Sequence, residues 1–455
     1  MYVNNATTHW DPTKHLYFLS VPRLPTEIAE RAIDSIGNAI ASHYNDTREC
    51  RALYGMLFNC ALTCKAWRPR SYFNLYHWLR LDDIERRIDA SQRHSHPGGL
   101  IETLRTRPEL LMAVRALASY QYSASEAAPV MLLVRLPMLQ ALRLIDCNDT
   151  IQHKFFFKNM SSLANKLTML TLRGMKIDVG DFRRLLHILP RLSFLEVNYD
   201  LIKPSTFTQY RTLRPLPTCL LRSLIITFRE DGYGDSEPGA VATLYDALAQ
   251  VQSSISRLVT LRILISSKWD VQALQLIRQA SSMLEMNVST LSHLILTLGG
   301  FDAYYRTGAL STLVIPVDTL CLDKLQSLDL VSMKVDGRIL SHLTQILSAT
   351  ASTALEDISI YVSAFTNLNN PDTVYIWQAF DGTLNSEHFP RLRKVSILCN
   401  LLEASIGELL PRCLERGILV VYSSHNNVNF SDTSQQRFSR GIQLADSYYC
   451  QYLLL

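Results

Sequence analysis

The residues with most chemistry to offer are nine cysteines and 12 histidines, and their spacing organises little of it. Cys50, Cys60, Cys64, Cys147, Cys219, Cys321, Cys399, Cys413 and Cys450 make no Cys-x-x-Cys pair. Most sit in apolar runs, where a free cysteine behaves as a small hydrophobe. An odd count scattered this way points to a reducing compartment. His94 and His96 stand beside the turn Pro97-Gly98-Gly99, with no further ligand near in sequence, and read as a solvated loop rather than a metal site. Gly232-Tyr233-Gly234 lies in an acidic loop without the lysine that a phosphate cradle uses. The chain holds no Gly-x-Ser-x-Gly elbow, no Gly-x-x-x-x-Gly-Lys, no Gly-x-Gly-x-x-Gly and no His-Glu-x-x-His. The expectation is a protein with no catalytic residues, no metal and no cofactor, whose chemistry is recognition.

The elements that would carry recognition follow from length and patterning. A chain of 455 residues exceeds one ordinary compact domain unless it is a repeat array. An apolar fraction of 47% supplies a core, and only 17 glycines and 17 prolines argue against an all-β protein rich in tight turns. A net charge of +4 is mild and gives no reason to expect nucleic acid or an anionic membrane as partner. Met1 to His15 lacks the apolar core of a signal peptide, and no stretch is apolar for long enough to span a bilayer. The expected location is cytoplasm, nucleus or both.

A first block, residues 16–81, reads as three helices. Leu24-Pro25-Thr26-Glu27-Ile28 opens the first: proline suits the first turn, and Glu27 and Glu30 favour the positive end of the dipole. Ile28, Ala32, Ile33, Ile36 and Ile40 recur at helical spacing. Asn45 and Asp46 break the pattern. A second helix is expected from about Glu49 to Trp67, with Leu53, Leu57, Ala61 and Cys64 on one face and Pro69 ending it. Tyr72, Phe73, Leu75, Tyr76 and Trp78 form a third segment.

These residues carry a resemblance. Leu24-Pro25-x-Glu27-Ile28, then Ala61-Leu62-Thr63-Cys64-Lys65-Ala66-Trp67, then Arg68-Pro69-Arg70-Ser71 and its aromatic cluster resemble the F-box of fungal, basidiomycete-type F-box proteins. The stretch Gly37 to Leu57 is longer than that family usually has. The resemblance implies docking on a Skp-type adaptor, and through it on a cullin–RING ubiquitin ligase. The residues matching the docking surface are Leu24, Pro25, Ile28, Ile33, Leu62 and Trp67.

Residues 82–130 read as linking helices. From 131 to 425 one motif governs, Leu-x-x-(Leu/Ile/Val)-x-(Leu/Ile/Val). It begins at Leu139, Leu167, Leu192, Leu221, Leu258, Leu291, Leu325, Leu355 and Leu392. Its last two apolar positions are two apart, so on a strand they share a face, and the first Leu packs behind them. Helical patterns alternate with the copies, at Asp181–Leu189, Val241–Val251, Val271–Leu284, Ile339–Leu347 and Ile406–Leu414. A final strand is expected at Ile418–Tyr422. The fold class is therefore α/β. A three-helix unit precedes an irregular leucine-rich-repeat-like solenoid, with a parallel sheet on the concave face, helices on the convex face and a tail or cap from 426 to 455. After the strand, only Cys147 and Asn400 supply the side chain that stricter repeats use to bond loop backbone.

Residues between the buried strand positions point to the concave face and are the candidate partner contacts: Arg143, Arg173, Glu196, Arg262, His293, Asp329, Asp357, Tyr361 and Lys394. This face turns from basic among the early copies to acidic later. Phe301, Tyr304 and Tyr305, in a long connection, are further candidates. The expected role is a substrate receptor of a Skp–cullin–F-box ligase, with a protein substrate on the solenoid. The alternative is a ligase-independent scaffold whose helical unit is only a cap.

Overall fold

A computed structural model of the chain describes residues 25–42, 47–81, 103–104, 106–120, 135–145, 147, 156–174, 177–198, 202–203, 221–229, 257–266, 284, 286–287, 289–299, 322–332, 340–341, 344, 347–348, 352–362, 371–385, 387, 389–399 and 403–423. Leu24, His94, His96, the Gly232 loop, Phe301, Tyr304, Tyr305 and the tail after residue 423 lie outside them.

Three helices come first: α1 (Thr26–Ser42), α2 (Thr47–Thr63) and α3 (Arg68–His77). Isoleucines at helical spacing put Ile33 and Ile40 of α1 against Cys50 and Leu57 of α2, all buried. The Cys50 thiol lies 3.9 Å from the Ile40 carbonyl, so the end of α1 meets the start of α2 and the two run antiparallel. Helix α2 stops at Thr63, short of the Trp67 expected, and Pro69 does not end a helix but begins α3. The reason is that a first-turn proline gives up an N–H that has no acceptor there. Of the stretch from Gly37 to Leu57, residues 37–42 lie in α1 and 47–57 in α2.

The rest is an open, all-parallel sheet of 12 strands plus helices. Its strands, in spatial order, are β1 (Trp78–Leu81), β2 (Ala116–Tyr120), β3 (Ala141–Ile145), β4 (Met169–Arg173), β6 (Phe194–Asn198), β8 (Ser223–Arg229), β9 (Thr260–Ser266), β10 (His293–Gly299), β11 (Ser327–Ser332), β12 (Asp357–Val362), β13 (Lys394–Cys399) and β14 (Leu419–Ser423). Two short strands, β5 (Ile177–Asp178) and β7 (Ile202–Lys203), pair separately. All nine motif copies lie on this sheet in one register: Leu142, Leu170, Leu195, Leu224, Leu261, Leu294, Leu328, Ile358 and Val395 are successive partners. The leading leucine of each copy is buried behind its strand.

One carbonyl per repeat fixes the stacking. Gln140 O accepts from the N–H groups of Thr168 and Met169, Thr168 O from Ser193 and Phe194, and Ser193 O from Arg222 and Ser223. The same pair of bonds, 2.7–3.1 Å long, recurs from Arg115 to Lys394. Backbone groups at each strand's entry are thereby satisfied by the neighbouring repeat. Cys147 does the job expected of it: its Sγ lies 3.2 Å from Ile145 O and 3.3 Å from Ser119 O. Asn400 lies outside the described residues.

The sheet starts about fifty residues before the expected boundary at 131, and the segment read as linking helices contains β2. Tyr76-x-x-Leu79-x-Leu81 and Val114-x-x-Leu117-x-Ser119 occupy the motif's positions in register with Leu139-x-x-Leu142-x-Leu144. Tyrosine and serine stand where leucine marks the other copies, which hides both from a pattern of apolar residues.

Helices α4 (Phe156–Ser162), α5 (Val179–Ile188), α6 (Pro371–Leu384), α7 (Glu403–Leu409) and α8 (Pro411–Glu415) cover the leucine side of the sheet. Phe156, Met160, Phe182, Leu185, Trp377 and Phe380 join the strand leucines in one continuous core. The helix α6 has no counterpart in the sequence reading. The single helix expected at 406–414 is two, because Pro411 starts a new one. Asp381 of α6, buried, caps it: its carboxylate accepts from the N–H groups of Arg412 at 2.9 Å and Cys413 at 3.1 Å. The Cys413 thiol is pushed up to about 12, by burial first and then by Asp381.

Candidate interaction faces

The helical unit leaves apolar side chains uncovered at one end. Ile28 near the start of α1 is 52% exposed, and Phe58 and Leu62, one turn apart near the end of α2, are 54% and 62% exposed. Because α1 and α2 are antiparallel, these residues share an end of the hairpin. Pro25 is exposed there too and begins the helix, its carbonyl accepting from Ile28 N at 3.0 Å and Ala29 N at 3.2 Å. Trp67 is half-buried against the helical core. Ile33 corrects the sequence reading: at 1% exposure it is part of that core and offers nothing to a partner. Phe58 was not anticipated, nor was Met56, which is 50% exposed. The signal available was that both stand off the buried stripe of α2.

Helix α3 is locked onto α1. Arg70 donates from Nε to Asp34 Oδ1 at 2.6 Å and from Nη2 to Oδ2 at 2.5 Å, and Asn74 Nδ2 donates to Oδ1 at 3.0 Å. The Arg70 bond holds the Asp34 carboxyl below its ordinary range. The unit is also joined to the sheet without a linker, since β1 follows α3 directly. Tyr54 OH donates to Trp78 O at 2.6 Å, Arg115 N donates to His77 O at 3.0 Å, and Trp78 packs on the helical core. At this joint burial, with the Arg115 charge, lowers the His77 imidazole to about 4.

The second face is the side of the sheet opposite the leucines. Register puts Arg143, Thr171, Glu196, Ile225, Arg262, Ile295, Asp329, Ser359 and Ser396 in one row across β3 to β13. Charge alternates in sign at every second strand: Arg143, Glu196, Arg262, Asp329. Glu196 is the hub of the basic end. Arg173 Nε donates to its Oε1 at 2.5 Å, Arg173 Nη2 pairs with the same oxygen, Arg143 Nη2 lies 3.9 Å from Oε2, and Thr171 OH donates to Oε2 at 3.1 Å. Burial alone would raise this carboxyl, but the charges of Arg173, Arg143 and Arg262 outweigh it and hold it below its ordinary range.

At the other end burial pushes the Asp329 carboxyl up to about 6, against the Ser359 hydroxyl bond and the Arg262 charge that pull it down. The Asp357 charge adds to the rise. Burial also lowers the half-buried His293 imidazole, against the charge of Asp357. Asp357 and Lys394 are exposed, and Tyr361 occupies β12 with its side chain outside the described residues. Two of the expected contacts need correction: Glu196 and Arg262, each 3% exposed, form the floor of this face rather than its accessible surface. Among the described residues no group of three or more His, Cys, Asp or Glu side chains is placed to hold a metal, and no helix is long and apolar enough to cross a membrane.

No protein-family model matches the chain, and no curated protein matches it. Among solved structures it is similar to one described as the crystal structure of Rad7 and Elc1 complex in yeast, with 11% sequence identity and a TM-score of 0.32 over 95% of this chain and 100% of that one. Agreement this loose does not equate the two architectures.

Proposed function

We propose that the chain is a non-catalytic substrate receptor of a Skp–cullin–F-box-type ubiquitin ligase, acting in the cytoplasm, the nucleus or both. The helical unit docks on a Skp-type adaptor, and the sheet holds a protein substrate. The observation that supports this most is the exposed apolar end of the α1–α2 hairpin, where Pro25, Ile28 and Leu62 coincide with the positions that the F-box resemblance assigns to docking. Exposed side chains of this size on neighbouring turns favour a partner that covers them. The chain then contributes proximity and orientation, and the chemistry belongs to other subunits. The direct passage from α3 into β1 suits that role, since a rigid joint presents the substrate at a set angle.

One observation favours the alternative, a ligase-independent scaffold. Tyr54 and the helical core around Trp78 cover the first strand, as a cap on a repeat array does.

Co-expression with a Skp-type adaptor, followed by size-exclusion chromatography, separates the two readings. The receptor reading expects a one-to-one complex that Ile28→Glu with Leu62→Glu abolishes. Both residues are exposed, so the thermal transition is expected to stay unchanged. Separate elution of two well-folded proteins sinks that reading and leaves the scaffold. Leu24→Ala with Pro25→Ala is a milder variant expected to weaken the complex.

A further inference from the structure

With Glu196 and Arg262 buried, the charges of this face left partly open from β3 to β12 have a polarity that selects a partner. At the β3–β6 end two arginines share one carboxylate, and their side chains are partly open: 17% exposed for Arg143 and 31% for Arg173. Glu196 beneath them is buried and holds the Arg173 fork by its hydrogen bond, with Arg143 3.9 Å from the other carboxylate oxygen. Planar guanidinium forks match carboxylates well. The surroundings are apolar: Met169 and Phe194 lie in the row beside Thr171 and Glu196, with Ile225 next along. At the β11–β12 end the sign reverses, with Asp329 and the exposed Asp357, whose register partner on β13 is the exposed Lys394.

We infer that this face binds a charge-polarised segment of a protein partner, laid across the strands, with its acidic residues over Arg143 and Arg173 and its basic residues over Asp329 and Asp357. The inference rests on the receptor reading only in taking the sheet as the partner-binding face; adaptor docking has no part in it. Five strand steps separate β4 from β11. At about 4.8 Å per step this is roughly 24 Å, or about seven residues of extended chain. An acidic group and a basic group about seven residues apart, with apolar residues between, therefore match both poles.

The test uses the full chain alone and fluorescein-labelled synthetic peptides read by fluorescence anisotropy. One peptide carries a Glu pair and a Lys pair about seven residues apart around a Leu/Phe centre, made in both orders. Two controls replace the Lys pair or the Glu pair with Ser. The expected result is tightest binding by a polarised peptide, about tenfold or more over either control, weakening as salt is raised. Arg143→Gln with Arg173→Gln removes both partly open guanidiniums while the buried Arg262 charge still acts on Glu196, and is expected to drop the polarised peptide to the level of the Lys-only control. Asp329→Asn with Asp357→Asn is expected to drop it to the level of the Glu-only control. Should the arginine double variant not fold, Arg143→Gln alone serves, being more distant from Glu196. The inference is overturned if no peptide binds, if all bind alike, or if folded arginine variants bind like the parent. Adaptor co-elution is unaffected by any of these outcomes, so the two proposals fail separately.

Discussion

Asp329 and Glu196 are carboxylates in one row of one sheet, and their environments push them in opposite directions. Glu196 has two guanidiniums within reach and stays charged. Its contribution to stability is present above its ordinary range and is lost as pH falls through its lowered folded value. Asp329 has a hydroxyl and a more distant arginine, and burial dominates. Its folded value of about 6 stands above the ordinary 3.8, so the folded chain holds this proton to higher pH than the unfolded chain does. Stability from this group is therefore full below about 3.8 and falls as pH rises toward 6. Asp329→Asn is expected to stabilise the protein above pH 6, on the order of 3 kcal/mol from two pKa units, with the gain shrinking toward pH 4. Thermal denaturation of both chains at pH 4.5 and pH 8 checks this. An equal effect at both values would show that Asp329 does not titrate as described.

Among the elements, α1 and α3 meet closely at one glycine. A Cβ on Gly37 would stand 2.2 Å from Asn74 Oδ1 and 2.7 Å from its Cγ, so the two helices approach through the missing side chain. Asn74 cannot swing away cheaply, because it is buried and donates to Asp34. Gly37→Ala is expected to cost roughly 1–3 kcal/mol despite the better helix propensity of alanine. Chemical denaturation followed by tryptophan fluorescence measures this, since Trp67 and Trp78 report on the unit. Adding Asn74→Ser is expected to recover part of the loss. A stabilised Gly37→Ala chain would mean that the helices sit further apart than described.

For the whole molecule, the question is whether helical unit and sheet behave as one body. The sheet core runs unbroken from Leu79 to Ile418, and the helical core meets it through Trp78. In a repeat array each unit is supported only by its neighbours, so a joint at one end carries the coupling alone. Trp78→Ala is expected to raise hydrogen–deuterium exchange across α1 to α3 while leaving β8 to β13 unchanged. A uniform rise along the chain would show one cooperative unit in which the joint has no special role.

The sequence by itself determined every strand whose motif is spelled in leucine, isoleucine or valine. Two apolar residues two apart, with a leucine three before, satisfy one geometry, and Leu139 to Ile397 repeat it nine times. It also marked which side of each strand is polar. It could not show that Tyr76 and Ser119 serve in the same positions, because a pattern of residue types does not reveal which neighbour accepts a tyrosine or a serine. Nor could it separate Ile33 from Ile28, both on the expected stripe: one faces Leu57 and the other faces solvent only once α2 has docked. Glu196 and Arg262 make the same point for charge. Their spacing announces a polar face, but their burial comes only with the fold, and Glu196 is paired by Arg143 and Arg173 on other strands, 53 residues before it in the one case and 23 in the other. Local periodicity is a property of the chain, whereas burial and electrostatic partnership are properties of what the fold brings alongside it.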